Sequence, residues 1–146
     1  MKIKEKRSIG FEIKVIDNMI SRQLIPLKNN CPLHISPIQA RILLYIEKHK
    51  TQEIYQKDLE HIFNMRRSTI SGILKNMERT NLIKRIDSPK DARTKQIVLT
   101  NYSKNIGNHM KGKRDEFDQK LEQNILKEDL EIFYRVIDQI KENIKK

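Results

Sequence analysis

The feature that most constrains the fold is a pair of short apolar runs joined by a long, basic turn. The runs are LIKRI, residues 82–86, and IVLT, residues 97–100, and both have the composition of β-strands. The segment between them includes SPKDARTKQ, residues 88–96, whereas most hairpin turns have about two to five residues. The rest of the chain has helical periodicity, so we predict a mainly α protein with one small β-hairpin.

Helices are expected before the hairpin, where apolar residues recur at helical spacing. The expected helices lie at about residues 8–27, from residue 37 onward, at 56–63 and at 68–80. The start of the second is the clearest local signal, because Ser36 suits an N-cap, Pro37 the first helical position and Gln39 a capping box. In the third, the side chains expected to face inward are Leu59, Ile62 and Phe63.

Two long helices are expected after the hairpin. Thr100 can cap the first, which ends near residues 121–123, and the second runs to the end of the chain. The order helix, short helix, helix, hairpin predicts a winged helix-turn-helix at residues 36–100 of a single domain, residues 1–146. The flanking segments, 1–35 and 101–146, have wide apolar stripes, and we expect them to pack against a second copy of the chain. The predicted dimerisation residues are Ile9, Ile13, Ile16, Ile20, Phe133, Ile137, Ile140 and Ile144.

Positive charge is concentrated around the turn. The formal net charge of the chain is +11, and residues 64–95 alone carry nine cations and three acids, an excess of +6 (9 − 3). Such a cluster indicates a polyanion as partner, although a lysine-rich surface that only maintains solubility remains an alternative.

The helix at residues 68–80 divides into two faces. Ile70, Ile73, Leu74 and Met77 recur at core spacing, and the opposite face carries small polar groups and cations. This pattern suits a helix that enters the major groove of DNA, and an ordinary solvated face is the alternative. The predicted DNA contacts of this helix and its surroundings are Gln56, Arg66, Arg67, Ser68, Thr69, Ser71, Gly72, Lys75, Asn76, Lys84 and Arg85.

Three segments together resemble the MarR family of bacterial transcriptional regulators. They are SPIQARIL, QKDLEHIFNMRRSTISGILKNMERTNLIKR and DSPKDARTKQIVLT, and the last resembles the wing of the family. The resemblance implies an obligate homodimer with the helix at 68–80 in the major groove. It also implies that Arg93 enters the minor groove at the wing tip, oriented by Asp91, with Lys90 on the same basic turn. Asn81 stands where the family usually has glycine, but asparagine tolerates the left-handed geometry that ends a helix.

The expected function is therefore that of a cytoplasmic, homodimeric, sequence-specific transcriptional regulator of double-stranded DNA. We expect a repressor on a pseudo-palindrome with half-sites about 10 bp apart. The resemblance implies a small aromatic or anionic effector; no cofactor is expected. Arg22, His34 and Arg41 are conceivable effector contacts, although exposure to solvent is the simpler reading of each.

Other functions are less well supported by the sequence. Redox sensing would depend on Cys31, and zinc sensing on Cys31, His34 and His109. The sequence has no phosphate-binding loop, metal-binding histidine pair or nucleophile elbow, so we do not expect an enzyme. A basic helical protein-interaction module without specific DNA binding remains a further alternative. The longest apolar run, residues 42–46, is too short for a membrane span, and no signal peptide is expected.

Overall fold

The computed structural model describes residues 7–23 and 35–145, except for the side chains of residues 108–111. These residues form two compact units, one ending at Asn108 and one beginning at His109. Within the described ranges, no helix combines the length and apolarity that a membrane span requires.

The secondary structure follows the predicted order. The helices are α1 (Ile9–Gln23), α2 (Pro37–Lys48), α3 (Gln56–Ile62), α4 (Arg67–Arg79), α5 (Asn101–Glu122) and α6 (Lys127–Lys145). The strands are β1 (Ile83–Asp87) and β2 (Lys95–Leu99), so the mainly helical fold with one hairpin is confirmed. The expected end of α1 near residue 27 and the loop that follows it lie outside the described residues.

Local capping signals account for where the helices begin and end. At the start of α2, the Ser36 hydroxyl accepts from the Gln39 amide at 3.3 Å, and the Ser36 N–H donates to Gln39 Oε1 at 3.0 Å. This is the predicted capping box. After α4, Asn81 has φ 60°, the left-handed geometry expected of it. Thr100 accepts the Ser103 N–H at 3.1 Å and so caps α5, as predicted.

The core lies between helices α2, α3 and α4 and one face of the hairpin. Its fully buried side chains are Ile42, Leu59, Ile70, Leu74, Met77, Leu82, Ile83 and Ile97. Burying one such side chain stabilises the fold by about 1.5–3 kcal/mol. The core therefore holds α4 by its apolar stripe and leaves the opposite face of that helix outward.

One predicted core residue is wrong. Ile62 is 50% exposed, whereas Leu59 of the same helix is completely buried. Phe63 packs against the core one turn after Leu59. At about 100° per residue, Ile62 lies about 80° from the middle of the face that Leu59 and Phe63 form, so it is left outward.

The hairpin is antiparallel, with Ile83 opposite Leu99 at its base and Asp87 opposite Lys95 at its far end. Residues before α3 extend this small sheet. Tyr55 forms an isolated bridge with Gln96, and the Ile97 N–H donates to the Ile54 carbonyl at 2.8 Å. At the base, Ser103 Oγ donates to the Leu82 carbonyl at 2.6 Å, which ties the turn before β1 to α5.

Candidate nucleic-acid interface

Helix α4 presents the two faces that its sequence predicts. Ile70, Leu74 and Met77 are fully buried, and Ile73 packs against them. The outward side chains are small, polar or basic. The exposed members are Ser68, Thr69, Gly72, Lys75 and Arg79, and Ser71 is half-buried.

Gly72 sits at the centre of this outward face. A Cβ built on it would meet no atom within 4 Å, so packing inside the fold does not require glycine here. Glycine in a helix interior costs about 1 kcal/mol relative to alanine. The bare backbone at this position therefore suits the close approach of an external surface.

The N-terminus of α4 is basic, and no side chain in the described ranges caps it. Arg66 occupies the N-cap position without a side-chain capping bond, and Arg67 is the first helical residue rather than a residue before the helix. Both side chains are exposed. The amides of a first helical turn attract anions, and the two guanidinium groups add to that attraction.

Asn76 has a contact inside the protein that fixes its amide. Its Oδ1 accepts from Gln39 Nε2 at 2.8 Å. The orientation of Gln39 follows from the capping box, because its Oε1 accepts the Ser36 N–H and only its Nε2 remains to donate. Asn76 therefore has its NH2 group, with two donors, left for a ligand. Sequence reasoning assigned Gln39 only to the cap and missed this second contact.

Arg85 also has partners within the lobe. Its Nε lies 3.1 Å from Glu78 Oε2 of α4, and its Nη1 lies 3.5 Å from Gln56 Oε1 of α3. The Nε contact is an ion pair without hydrogen-bond alignment. Arg85 and Gln56, both predicted DNA contacts, thus join β1 to α4 and α3, whereas the neighbouring Lys84 is exposed. The sequence signal for the ion pair between Arg85 and Glu78 was Glu78 itself, which is one of the few acids in a basic segment.

The turn between the strands, residues 88–94, projects Lys90 and Arg93 into solvent. Asp91 Oδ1 accepts the main-chain N–H of Arg93 at 2.9 Å, so the contact of Asp91 is with the backbone of the arginine. The Thr94 hydroxyl donates to the Asp91 carbonyl at 3.1 Å, and the Ser88 N–H donates to the Thr94 carbonyl at 3.3 Å. The turn is long but internally bonded, which presents Arg93 from an ordered support.

The structure describes only some of the residues that were considered for sensing an effector, an oxidant or zinc. Cys31 and His34 lie outside the described residues, as does the side chain of His109. Arg41 Nη2 donates to Asp17 Oδ1 at 2.9 Å, which ties α2 to α1. The hydrogen bond from Arg41, supported by Lys14, lowers the pKa of Asp17 below its ordinary value of 3.8. Arg22 is exposed in the last turn of α1.

A helix with an apolar inner stripe and a basic outer face, followed by a projecting basic hairpin, defines the winged-helix class of proteins. A model of the MarR family matches residues 35–94, and no curated protein matches the chain. The transcription regulator MarR from Oenococcus oeni PSU-1 is 24% identical, with a TM-score of 0.83 over 92% of this chain and 99% of its own.

Two further solved structures share the fold. MepR of S. aureus, in a complex with DNA, is 21% identical, with a TM-score of 0.82 over 94% of this chain and 96% of its own. The heme sensor protein PefR from Streptococcus agalactiae, in complex with heme, is 20% identical, with a TM-score of 0.61 over 98% of this chain and 95% of its own. Over residues 35–94 the chain is similar to the MarR family, and it has the winged-helix fold of these solved structures.

Proposed function

We propose that the protein is a sequence-specific transcriptional repressor that binds a pseudo-palindromic duplex as a homodimer. The observation that carries this proposal is the outward face of α4, with its cations, small polar groups and exposed Gly72, followed in the chain by a basic turn that projects Arg93. The DNA complex of MepR, which has the same fold, supports it.

The contacts divide by chemistry. Ser68, Ser71 and Lys75 on α4 would reach base edges in the major groove, and Asn76 would donate through its NH2 group. Arg66, Arg67 and Lys84 are exposed cations around this face, and they would contact phosphates. Arg93 would enter the minor groove, where a narrow groove concentrates negative potential.

The salt dependence of binding tests this division. Fluorescence anisotropy with a labelled duplex should show log Kd rising linearly with log salt concentration, by about 0.9 for each phosphate contact. Arg67→Ala should lower that slope by about 1.8, because the homodimer loses two such contacts. Lys48→Ala removes the same charge from the exposed end of α2 and should leave the slope unchanged. Equal slopes for wild type and Arg67→Ala would remove Arg67 from the interface.

The homodimer is inferred from apolar faces that the described chain leaves uncovered. On α1, the exposed apolar side chains are Ile9, Phe11, Ile13, Ile16 and Met19. On α6, Ile132, Phe133, Tyr134, Val136 and Ile144 are exposed, and Leu130, Ile137 and Ile140 are half-buried. At 3.6 residues per turn, the α6 set spans about 200° of the helix, which is wider than contact with one neighbouring helix requires. A second copy of the chain would cover such faces and gain the free energy of their burial.

Sedimentation tests the dimer directly. At micromolar concentration we expect a dimer, and Phe133→Glu should shift it toward monomer because a carboxylate replaces a 52% exposed apolar side chain. Ile86→Glu is the control, since Ile86 is 43% exposed but lies on the hairpin. A wild-type monomer would contradict the proposal.

We also infer that a small aromatic or anionic compound weakens DNA binding, and that the protein works in the cytoplasm with the DNA it regulates. The resemblance to the MarR family supports the effector, as does PefR, a protein of similar fold whose structure is in complex with heme. Thermal unfolding with a panel of aromatic carboxylates and heme would identify a ligand by a rise in Tm, and the same compound should raise the Kd for DNA.

A further inference from the structure

A chain of hydrogen bonds joins the segment before α3 to the root of the projecting turn. Tyr55 Oη lies 2.7 Å from Glu53 Oε2 and 2.7 Å from Ser88 Oγ. Ser88 Oγ in turn accepts the N–H groups of Lys90 at 3.1 Å and Asp91 at 3.3 Å. Ser88 is only 8% exposed, so its hydroxyl depends on these partners. We call Glu53, Tyr55 and Ser88 the wing clamp.

The donors and acceptors of the wing clamp can be assigned. An ionised Glu53 carboxylate only accepts, so Tyr55 donates its single proton to it. The remaining lone pairs of Tyr55 Oη then accept the proton of Ser88 Oγ, which leaves Ser88 free to accept both backbone amides. Lys90 Nζ, 3.7 Å from Glu53 Oε2, adds a cation at the carboxylate end. Every proton thus has one acceptor, and removal of the Tyr55 hydroxyl breaks the chain in its middle.

Tyr55 is itself held on both sides. Its N–H donates to Asp58 Oδ2 at 2.8 Å in the first turn of α3, and its backbone bridges to Gln96 of β2. The backbone of Tyr55 is therefore held by α3 and β2, and its hydroxyl bonds the turn that carries Arg93. The wing clamp connects the part of the lobe that positions α4 with the part that carries the wing arginine.

We propose that Tyr55 is a positioning residue for DNA binding: through Ser88, it fixes the turn so that Arg93 is presented in register with α4. This inference rests on the proposed DNA-binding function. It assigns a role to three residues through their contacts inside the protein, and it predicts that their effect on affinity passes through Arg93.

The experiment is a double-mutant cycle on the full-length protein. Tyr55→Phe keeps the ring and removes the hydroxyl with its bonds to Glu53 and Ser88. Loss of the bond to Ser88, which supports the turn, should weaken DNA binding about 3- to 10-fold. In the Arg93→Ala background the same substitution should change Kd less than about twofold, because the group that it positions is gone. Tyr45→Phe is the matched control, since that ring packs on His49 and meets Phe63 edge-on, and it should bind DNA as the wild type does.

Amide hydrogen exchange gives a second readout that needs no DNA. In Tyr55→Phe, and more strongly in Ser88→Ala, the Lys90 and Asp91 amides should exchange several-fold faster, while α4 amides keep their protection. Unchanged exchange at both amides would overturn the inference, as would an equal loss of affinity with and without Arg93. A wild-type protein that binds no duplex would overturn the proposed function and the role of Tyr55 in it, whereas faster amide exchange would still establish the wing clamp.

Discussion

Gln39 supports the most quantitative prediction, because one side chain performs two separable tasks. Its Oε1 accepts the Ser36 N–H at 3.0 Å, and its Nε2 donates to Asn76 Oδ1 at 2.8 Å. The residue is only 9% exposed, so water replaces its lost bonds poorly. Gln39→Ala removes both bonds, whereas Gln39→Glu keeps the acceptor for Ser36 and removes only the donor.

The magnitudes follow from this count. A net contribution of about 1 kcal/mol for each bond gives Gln39→Ala a loss of about 2 kcal/mol in the free energy of unfolding. Gln39→Glu should lose less than about 1 kcal/mol, because a carboxylate completes the capping box and lies favourably in the first turn of α2. Asn76 can also rotate its amide and donate its NH2 group to the new carboxylate.

Urea unfolding at one fixed protein concentration measures both variants, since the stability of a dimer depends on concentration. The expected order is wild type, then Gln39→Glu, then Gln39→Ala, with equal m-values. An equal loss in the two variants would refute the assignment of the capping bond to Oε1. A loss below about 0.5 kcal/mol in Gln39→Ala would refute the stabilising role of both bonds.

Gln39→Glu should also weaken DNA binding. In Gln39→Glu the rotated Asn76 would present its oxygen outward in place of two donors, so the Kd for a specific duplex should rise about 10-fold or more. The added charge contributes to that rise. Gln39→Glu is therefore also made in the Asn76→Ala background, where only the effect of the added charge on DNA binding remains. A Gln39→Glu effect of the same size in both backgrounds would show that Asn76 does not contact DNA through its amide.

Three further predictions concern the interface and the attachment of α1. Arg93→Ala should raise the Kd for a specific duplex about 10-fold, as measured by anisotropy, without changing Tm, and Lys90→Ala should have a smaller effect; unchanged binding in Arg93→Ala would exclude the wing. Gly72→Ala should raise the free energy of unfolding by about 0.5–1 kcal/mol in urea and weaken DNA binding, so unchanged affinity would show that no surface approaches Gly72 closely. Asp17→Asn should lower Tm at neutral pH. Because the pKa of Asp17 is lowered in the folded protein, the difference in Tm between wild type and variant should shrink once the pH falls below 3.8. It should disappear when the pH passes the lowered pKa. A difference that persists in acid would assign the effect to something other than the carboxylate.

The features that the sequence predicted correctly depend on residues close together in the chain. The start of α2 followed from Ser36, Pro37 and Gln39, which lie within one helical turn. The two faces of α4 followed from its periodicity, and the turn after it from the tolerance of Asn81 for positive φ. These signals act within a few residues, so they can be read without knowledge of the packing.

The features that were missed depend on contacts between distant residues. Tyr55 and Ser88 are 33 positions apart, and Gln39 and Asn76 are 37 apart, so no local pattern indicates either bond. Ile62 was predicted to be buried because it is apolar and next to core positions, but the direction of a helix as short as α3 is set by what packs on Leu59 and Phe63. The predicted DNA and dimer contacts remain predictions, since they concern partners outside the single chain.

The central claim is that two copies of the α4 face and its wing read a specific duplex. The most direct test is selection of binding sites from random DNA duplexes by the purified wild-type protein. The proposal predicts an enriched inverted repeat whose half-sites lie about 10 bp apart, one turn of B-DNA. Enrichment of a single half-site would contradict the dimer, and recovery of no sequence above background would contradict sequence-specific recognition by α4.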